Sequence, residues 1–171
     1  LVGTMFSGQF GVAKNIVGDN MSPIYTYAVE TAIQITLTEL NENLREIYIE
    51  AYTMPETAEY IYVHTTTELK QIFGSNFPGY TESDFYEMEI GTSGIMRNYM
   101  ARKCDIHFPL DHKLRRFLTA AMRVYKVPEE EQAKVIAFIG SLDIRAIATE
   151  VMYKLFAMLE MTFDFKLPKD D

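Results

Sequence analysis

Apolar residues recur at intervals of three and four positions along almost the whole chain, which is the period of an amphipathic α helix. The segment 143–161 shows this most clearly, with apolar residues at Ile144, Ile147, Ala148, Val151, Met152, Leu155, Phe156 and Leu159. All six prolines fall at or outside the ends of such segments. The pattern therefore predicts an all-α fold, a single helical bundle domain of about eight helices over residues 1–165, with a frayed tail at 166–171.

Local end signals divide the chain into these helices. Gly18 closes the first apolar stripe and predicts a helix end, and Ser22 followed by Pro23 predicts a capped start. The segments 53–56 (TMPE) and 81–84 (TESD) have the spacing of a capping box. The second of them should open a long helix that reaches about Arg102.

The charge balance argues against direct contact with nucleic acid. The formal net charge is −8, so the chain repels a phosphate backbone unless positive charge gathers on one face. The richest basic group is interleaved with acidic and apolar residues, and we interpret it as solvated helix faces: Arg97, Arg102, Lys103, Lys113, Arg115, Arg116, Arg123 and Lys126.

Two further features bear on the compartment. No run of eighteen or more uncharged apolar residues occurs, so a membrane-spanning helix is not expected. The single cysteine cannot form an internal disulfide and suits a reducing environment. Together they predict a soluble, cytoplasmic protein without membrane contact.

The segment CDIHFPLDH, residues 104–112, brings one cysteine, two histidines and two aspartates together. His107 and His112 are five positions apart across a predicted helix start, which is not a recurrent spacing of zinc ligands. Pro109 suits the first turn of the following helix. We therefore predict a joint between two helices and no metal site.

Signals for catalysis are weak. The segment 91–94 (GTSG) lies within a helical pattern and lacks the spacing of a nucleophile elbow, so we expect its small residues to let helices approach closely. His64 has no partner that the sequence reveals and is expected to be partly buried or at the surface. No Walker loop or G-x-G-x-x-G motif is present. We predict no catalytic residues, no enzyme activity and no cofactor.

The middle helices are rich in tyrosine and methionine, which suit an adaptable, mostly apolar pocket with a few hydroxyl donors. For any one of these residues, core packing is the simpler explanation. As a set on faces that should converge, they predict a ligand-binding pocket: Tyr25, Tyr48, Tyr52, Tyr62, Phe85, Met88, Met96, Tyr99 and Met100.

The order of these helices resembles the C-terminal regulatory domain of TetR-family transcriptional repressors over essentially the whole chain. Residues 1–18 are similar to the connecting helix that follows the family's DNA-binding domain. The segment SPIYTYAVETAIQITLTELNENLREIYIEAYT resembles the next helices of the ligand domain. EIGTSGIMRNYMARK and HFPLDHKLRRFLTAAMRVYKV are similar to two of the family's late helices. The family's N-terminal helix-turn-helix is not in this chain.

This resemblance implies a cytoplasmic, homodimeric one-component regulator. An unknown small-molecule effector would bind in the helical bundle, and DNA would be contacted only through the N-terminal domain outside this chain. The implied dimer interface is either 81–102 with 110–125 or the final helix at 143–161. The alternative function is an all-helical protein-interaction or dimerisation module without a small ligand, which should have a fully packed middle.

Overall fold

A computed structural model describes residues 1–163, and this part of the chain contains eight α helices and one short 3-10 helix. The prediction of an all-α helical bundle is confirmed, whereas the predicted frayed tail at 166–171 lies outside the described residues. The α helices are α1 Val2–Val17, α2 Pro23–Leu40, α3 Glu42–Thr53, α4 Pro55–Phe73, α5 Glu82–Ala101, α6 Leu110–Val124, α7 Glu129–Ser141 and α8 Ile144–Phe163. None of them combines the length and the apolar character needed to cross a membrane.

Several predicted helix ends are confirmed. Gly18 follows α1 with a φ of 71°, in the left-handed region that glycine adopts without a steric penalty. Pro23 occupies the first helical position of α2, after Ser22 at the cap position. At the start of α5 the Asp84 backbone N–H donates to the Thr81 hydroxyl, and the Asp84 carboxylate accepts from the Thr81 backbone N–H at 2.7 Å. These reciprocal bonds form the predicted capping box.

The capping box predicted at Thr53 is wrong. Thr53 is the last residue of α3, and its hydroxyl donates to the Ile49 carbonyl at 2.7 Å within that helix. The cap position of α4 therefore falls to Met54, which has no capping side chain. The cap that the sequence analysis missed is Asn41, whose Oδ1 accepts from the Leu44 backbone N–H at 3.1 Å and opens α3.

Helix α2 is the centre of the bundle. Its residues are buried on nearly every side from Ile24 to Thr38, and the helices packed against it include α1, α3, α7 and α8. Helices α4 and α5 pack closely together, and α5 also packs on α3 and α6. Polar residues on α2 consequently lie inside the protein, where each needs a partner.

Candidate ligand-binding cavity

A hydrogen-bonded chain of glutamines and tyrosines crosses the interior from α1 to α3. Gln9 on α1 is fully buried, and its Nε2 donates to Gln34 Oε1 on α2 at 2.7 Å. Gln34 Nε2 donates in turn to the Tyr52 hydroxyl at 2.8 Å. The Tyr48 hydroxyl donates to Gln9 Oε1 at 2.7 Å. Because these groups satisfy one another, the network fixes α1 on the bundle.

Three carboxyl groups lie beside this network, each from a different helix. Glu30 is on α2, Glu68 on α4 and Glu89 on α5, and all three line one interior cavity. Glu30 and Glu68 are hydrogen-bonded to each other, and burial raises the pKa of both. Contact with Glu68 raises the pKa of Glu30 further. Two carboxyl groups in such contact cannot both ionise at little cost, so Glu30 holds the proton and Glu68 accepts it.

Glu89 has its own supporting groups. The Thr92 hydroxyl donates to Glu89 Oε2 at 2.9 Å and lies 2.9 Å from the Tyr125 hydroxyl. Since the Thr92 proton is used on Glu89, Tyr125 is the donor in that second bond. Burial raises the pKa of Glu89 to about 7, against the opposing effect of the Thr92 hydrogen bond.

The cavity between these groups is small inside and wider at its mouth. The enclosed part measures about 50 Å³ and includes Phe6, Tyr27, Met96 and Phe117 in its walls. It adjoins a vestibule of about 200 Å³ between α1 and α4, which shares Phe6, Glu30, Thr65 and Glu68 with it. The cavity is therefore reached from the surface between these two helices.

Two features of the cavity wall stand out. Among the residues that line the enclosed part, none is lysine, arginine or histidine. Tyr27 also lines it and is 9% exposed, and its hydroxyl makes no hydrogen bond within the described chain. Burial raises the pKa of Tyr27, and the neighbouring Tyr125 and Glu89 raise it further. The Tyr27 hydroxyl is therefore close to the carboxyl group of Glu89.

Larger hollows lie at the surface. One groove of about 510 Å³ runs between α6, α7 and the start of α8, and its polar residues Asp111, Arg115, Asp143 and Arg145 are exposed. Another, of about 1110 Å³, is a shallow surface between the start of α1 and the α4 residues near Tyr60. Only the interior cavity among these three gathers buried ionisable groups.

The structure brings some of the predicted pocket residues together and separates others. Tyr52 and Met96 line the cavity. Tyr48 and Met100 lie just outside it, both bonded to the glutamine chain. The remaining five pack elsewhere: Tyr25 on Phe138, Tyr62 on Tyr86, Phe85 on Phe77, Tyr99 on Phe117, and Met88 at the edge of the core.

The residues that the sequence analysis missed are the acids and glutamines on apolar faces. Glu30 and Gln34 are four positions apart within a helix that is otherwise almost entirely apolar or small. Glu89 sits three positions before Thr92, again on a buried face of α5. The sequence signal that could have identified them is a charged or amide residue at a helix position that the apolar period assigns to the buried face.

The connector around Cys104 is a joint, as predicted. Asp105 Oδ1 accepts from the backbone N–H groups of His107 and Phe108, both at 2.8 Å, which shapes the turn before α6. His107 and His112 are exposed. Within the described residues no group of three or more histidine, cysteine, aspartate or glutamate side chains could hold a metal ion. Pro109 takes the cap position of α6, one place before the first turn.

One basic residue near this joint contradicts the prediction of solvated faces. Lys113 is completely buried, and its Nζ lies 2.5 Å from Glu39 Oε1 and also bonds to the Arg102 carbonyl. Arg45 pairs with the same carboxylate at 3.2 Å. A buried lysine is stable only with such a partner, and no local pattern could indicate Glu39 as that partner because it lies 74 positions away along the chain.

The expected close helix approach at 91–94 is also wrong. A Cβ added at Gly91 or at Gly94 would meet nothing within 4 Å. The neighbouring Thr92 and Ser93 instead line the cavity. His64 is at the surface, as expected, and its ring stacks on Tyr60 with 3.7 Å between centroids.

The geometry thus consists of a small acidic and aromatic cavity, closed by hydrogen bonds from four helices and entered beside α1. Comparison with known proteins places no name on this arrangement: no family model matches the chain, and no curated protein and no solved structure matches it.

Proposed function

We propose that this chain is the regulatory domain of a cytoplasmic, one-component transcriptional repressor of the TetR type. It binds a small-molecule effector in the interior cavity and controls operator binding by an N-terminal helix-turn-helix that lies outside these residues. It acts without catalysis and without a cofactor.

The observation that carries this proposal is the way α1 is built into the cavity. Phe6 of α1 forms part of the wall, and Gln9 of the same helix hydrogen-bonds Gln34 and lies beside Glu30. A ligand that occupies the cavity must therefore contact α1 or change the bonds of Gln9. Such a ligand has different affinities for two positions of α1, which is the condition for coupling.

The vestibule gives this coupling a direction. Gly3 of α1 lies so close to α4 that a Cβ there would come within 2.7 Å of the Tyr60 hydroxyl. Tyr60 and Gly3 both border the vestibule. Entry of a ligand between α1 and α4 would separate these two helices, and the N-terminal end of α1 would move the most. That end is the one a DNA-binding domain would continue from.

The proposal includes a homodimer, and α8 offers the more suitable surface of the two candidate interfaces. Tyr153 and Met158 of α8 are 66% and 43% exposed. The outer face of α6 carries instead the exposed cations Arg115, Arg116 and Arg123, which repel a second copy of themselves. A Tyr153→Glu substitution should convert a dimer to a monomer in analytical ultracentrifugation, whereas Arg116→Glu should not.

The function is tested by fluorescence anisotropy of the complete gene product on DNA from its own promoter, at two salt concentrations. We expect tight, sequence-selective binding that weakens strongly with salt, and no such binding by residues 1–171 alone. Absence of selective binding by the complete product would contradict the repressor function. The helical interaction module would then be the better explanation.

A further inference from the structure

We propose that the interior cavity binds a small organic cation, a protonated amine that places its charge between Glu30, Glu68 and Glu89 and its apolar part against the aromatic wall. This inference rests on the proposed function only in taking the cavity to be a ligand site.

The charge of the cavity is the first argument. Three helices each direct one carboxyl group to the same space, and the residues lining its enclosed part include no basic side chain. Buried carboxylates are normally paired with a cation, because an isolated charge in a protein interior is costly. The same protein supplies that cation elsewhere: Glu39 is paired with Arg45 and Lys113. At the cavity no cation of the described chain plays this part.

The Tyr27 hydroxyl is the second, independent observation. The Tyr27 side chain is only 9% exposed and borders the cavity, and its hydroxyl makes no hydrogen bond to another described residue. No buried side-chain nitrogen or oxygen atom of the described residues lacks a partner, so the Tyr27 hydroxyl is accessible from the cavity and is not sealed inside the protein. A ligand N–H group in the cavity would supply the missing donor. The hydroxyls of Tyr48 and Tyr52 are already bonded within the protein, so Tyr27 is distinguished from them.

The residues that line the cavity favour an organic cation over a metal ion. No group of three or more possible metal-binding side chains is assembled in the described residues. The rings of Phe6, Tyr52 and Phe117 border the enclosed part instead, and the vestibule that holds the rest of the ligand is bordered by Phe6, Phe10 and Tyr60. Aromatic faces attract organic cations and pack against their apolar parts. The acids are thus arranged around a space for a larger, partly apolar cation.

The size of the space limits the ligand. The enclosed part of about 50 Å³ holds a single ammonium-sized group, and the vestibule of about 200 Å³ holds the rest. Sites for drug-sized ligands measure roughly 300–1,000 Å³. A compound of the size of benzylamine, smaller than a drug-sized ligand, suits the enclosed part and the vestibule taken together.

Proton release is the signature that separates this binding mode from simple apolar burial. Burial raises the pKa of Glu30, Glu68 and Glu89, so the empty cavity keeps protons that a bound cation would expel. Among the other titratable groups, Tyr27 and Tyr52 line the cavity and Tyr125 lies behind Thr92, and burial raises the pKa of all three hydroxyls. Tyr60 and His64 lie at the exposed rim of the vestibule. Affinity for an amine should therefore increase about tenfold per pH unit for each proton released, as long as the carboxyl group in the empty cavity is protonated; for Glu89 this increase should level off above about pH 7.

The test is isothermal titration calorimetry of the 171-residue chain with benzylamine and with benzyl alcohol, its neutral counterpart of equal size. We expect benzylamine to bind at least about tenfold more tightly at about pH 8, which corresponds to 1.4 kcal/mol. At about pH 6, where Glu89 still holds its proton, titrations in two buffers of different ionisation enthalpy should show protons released on benzylamine binding only. Benzyltrimethylammonium, which has no N–H donor, should bind more weakly than benzylamine because it cannot pair with Tyr27.

Variants locate the site. Glu68→Gln and Tyr27→Phe should each weaken benzylamine binding, the first by about tenfold and the second several-fold. Glu87→Gln is the matched control, since Glu87 is exposed on α5 two positions before Glu89, and it should bind as the unaltered chain does. If Glu68→Gln does not fold, proton release by the unaltered chain still decides the question.

Equal affinity for benzylamine and benzyl alcohol would overturn the inference, and so would the absence of benzylamine binding at millimolar concentration. Neither result depends on DNA. Loss of the cation preference with intact promoter binding would remove only this inference, whereas amine binding without promoter binding would remove only the repressor function.

Discussion

The central helix α2 carries two glutamates with buried side chains, Glu30 and Glu39, which are nine positions apart. Their surroundings shift the two pKa values in opposite directions. At one end of α2, Glu39 accepts hydrogen bonds from Arg45, Lys113 and the Cys104 backbone N–H. Burial alone would raise its pKa, but the bonds from Arg45 and Lys113 outweigh burial and lower that pKa to about 2. In the middle of α2, Glu30 lies beside Glu68, Glu89 and the amide of Gln9, and burial together with the neighbouring acids raises its pKa.

The difference separates a structural cluster from a candidate binding site. The Glu39 cluster joins four pieces of chain, because Arg45 also donates to the Met100 carbonyl at 2.6 Å and Lys113 to the Arg102 carbonyl. Every charge there has an opposite within the protein. At the cavity no basic residue of the lining neutralises the carboxyl groups, so they either hold protons or are neutralised by a bound ligand. Substitutions in the two clusters should therefore have opposite consequences.

The largest effect is expected from Glu39→Gln. Removal of the carboxylate leaves buried Lys113 and Arg45 without their counter-charge, and we expect the free energy of unfolding to fall by about 3 kcal/mol at neutral pH. The contribution of Glu39 is present above pH 4.5 and is lost as the pH falls towards about 2, so the acid side of the stability profile should flatten in the variant. Urea unfolding across this pH range measures both. A loss below about 1 kcal/mol would contradict the assigned role of the cluster.

Glu89→Gln should act in the other direction. The raised pKa of Glu89 means that its protonated form favours folding fully below pH 4.5, and that this contribution is lost as the pH rises through about 7. The variant avoids this loss, so at about pH 8 it should be more stable than the unaltered chain by roughly 2 kcal/mol. Near pH 4.5 the two should be alike. Urea titrations at both pH values check this, with Glu87→Gln as the control, and a variant less stable at the higher pH would contradict it.

Two tyrosines allow a comparison between a hydroxyl that is hydrogen-bonded inside the protein, that of Tyr48, and one that borders the cavity, that of Tyr27. Tyr48→Phe removes a buried hydrogen bond to Gln9 and should cost about 1 kcal/mol. Tyr27→Phe removes a hydroxyl without a partner and should change stability by less than about 0.5 kcal/mol. Thermal unfolding of the two variants side by side measures the contrast. An equal loss in both would show that Tyr27 has a partner in solution.

The smallest effect is expected at the exposed edge of the ion cluster. Glu42 and Lys103 lie 3.2 Å apart, but their side chains are 51% and 63% exposed. Hydrogen bonding from Lys103 lowers the pKa of Glu42, yet solvent screens this pair. Lys103→Gln should leave the urea midpoint unchanged within error. A clear shift would mean that burial is not what separates Glu39 from its neighbours.

Local sequence signals predicted the elements well and the site only in part. Gly18, Pro23 and the Thr81–Asp84 box marked helix ends correctly because caps act on backbone groups a few residues away. Thr53 failed because it is still a helical residue of α3 with its hydroxyl bonded inside that helix, so the cap position of α4 is Met54. Tyr52 and Met96 were among the predicted pocket residues, whereas the three cavity acids were not. Their roles depend on neighbours from other helices.

The sequence by itself determined that the described part of this chain forms α helices and where most of them begin and end, since apolar periodicity and capping are properties of contiguous residues. Only the tertiary structure decided that α2 is central and that Glu30, Glu68 and Glu89 meet beside Gln9 and Gln34. A pKa and a cavity arise from burial and from charges brought together across the fold. Glu30 and Glu39 are the same residue type on one helix, and their surroundings alone make one an acid that keeps its proton and the other an anion.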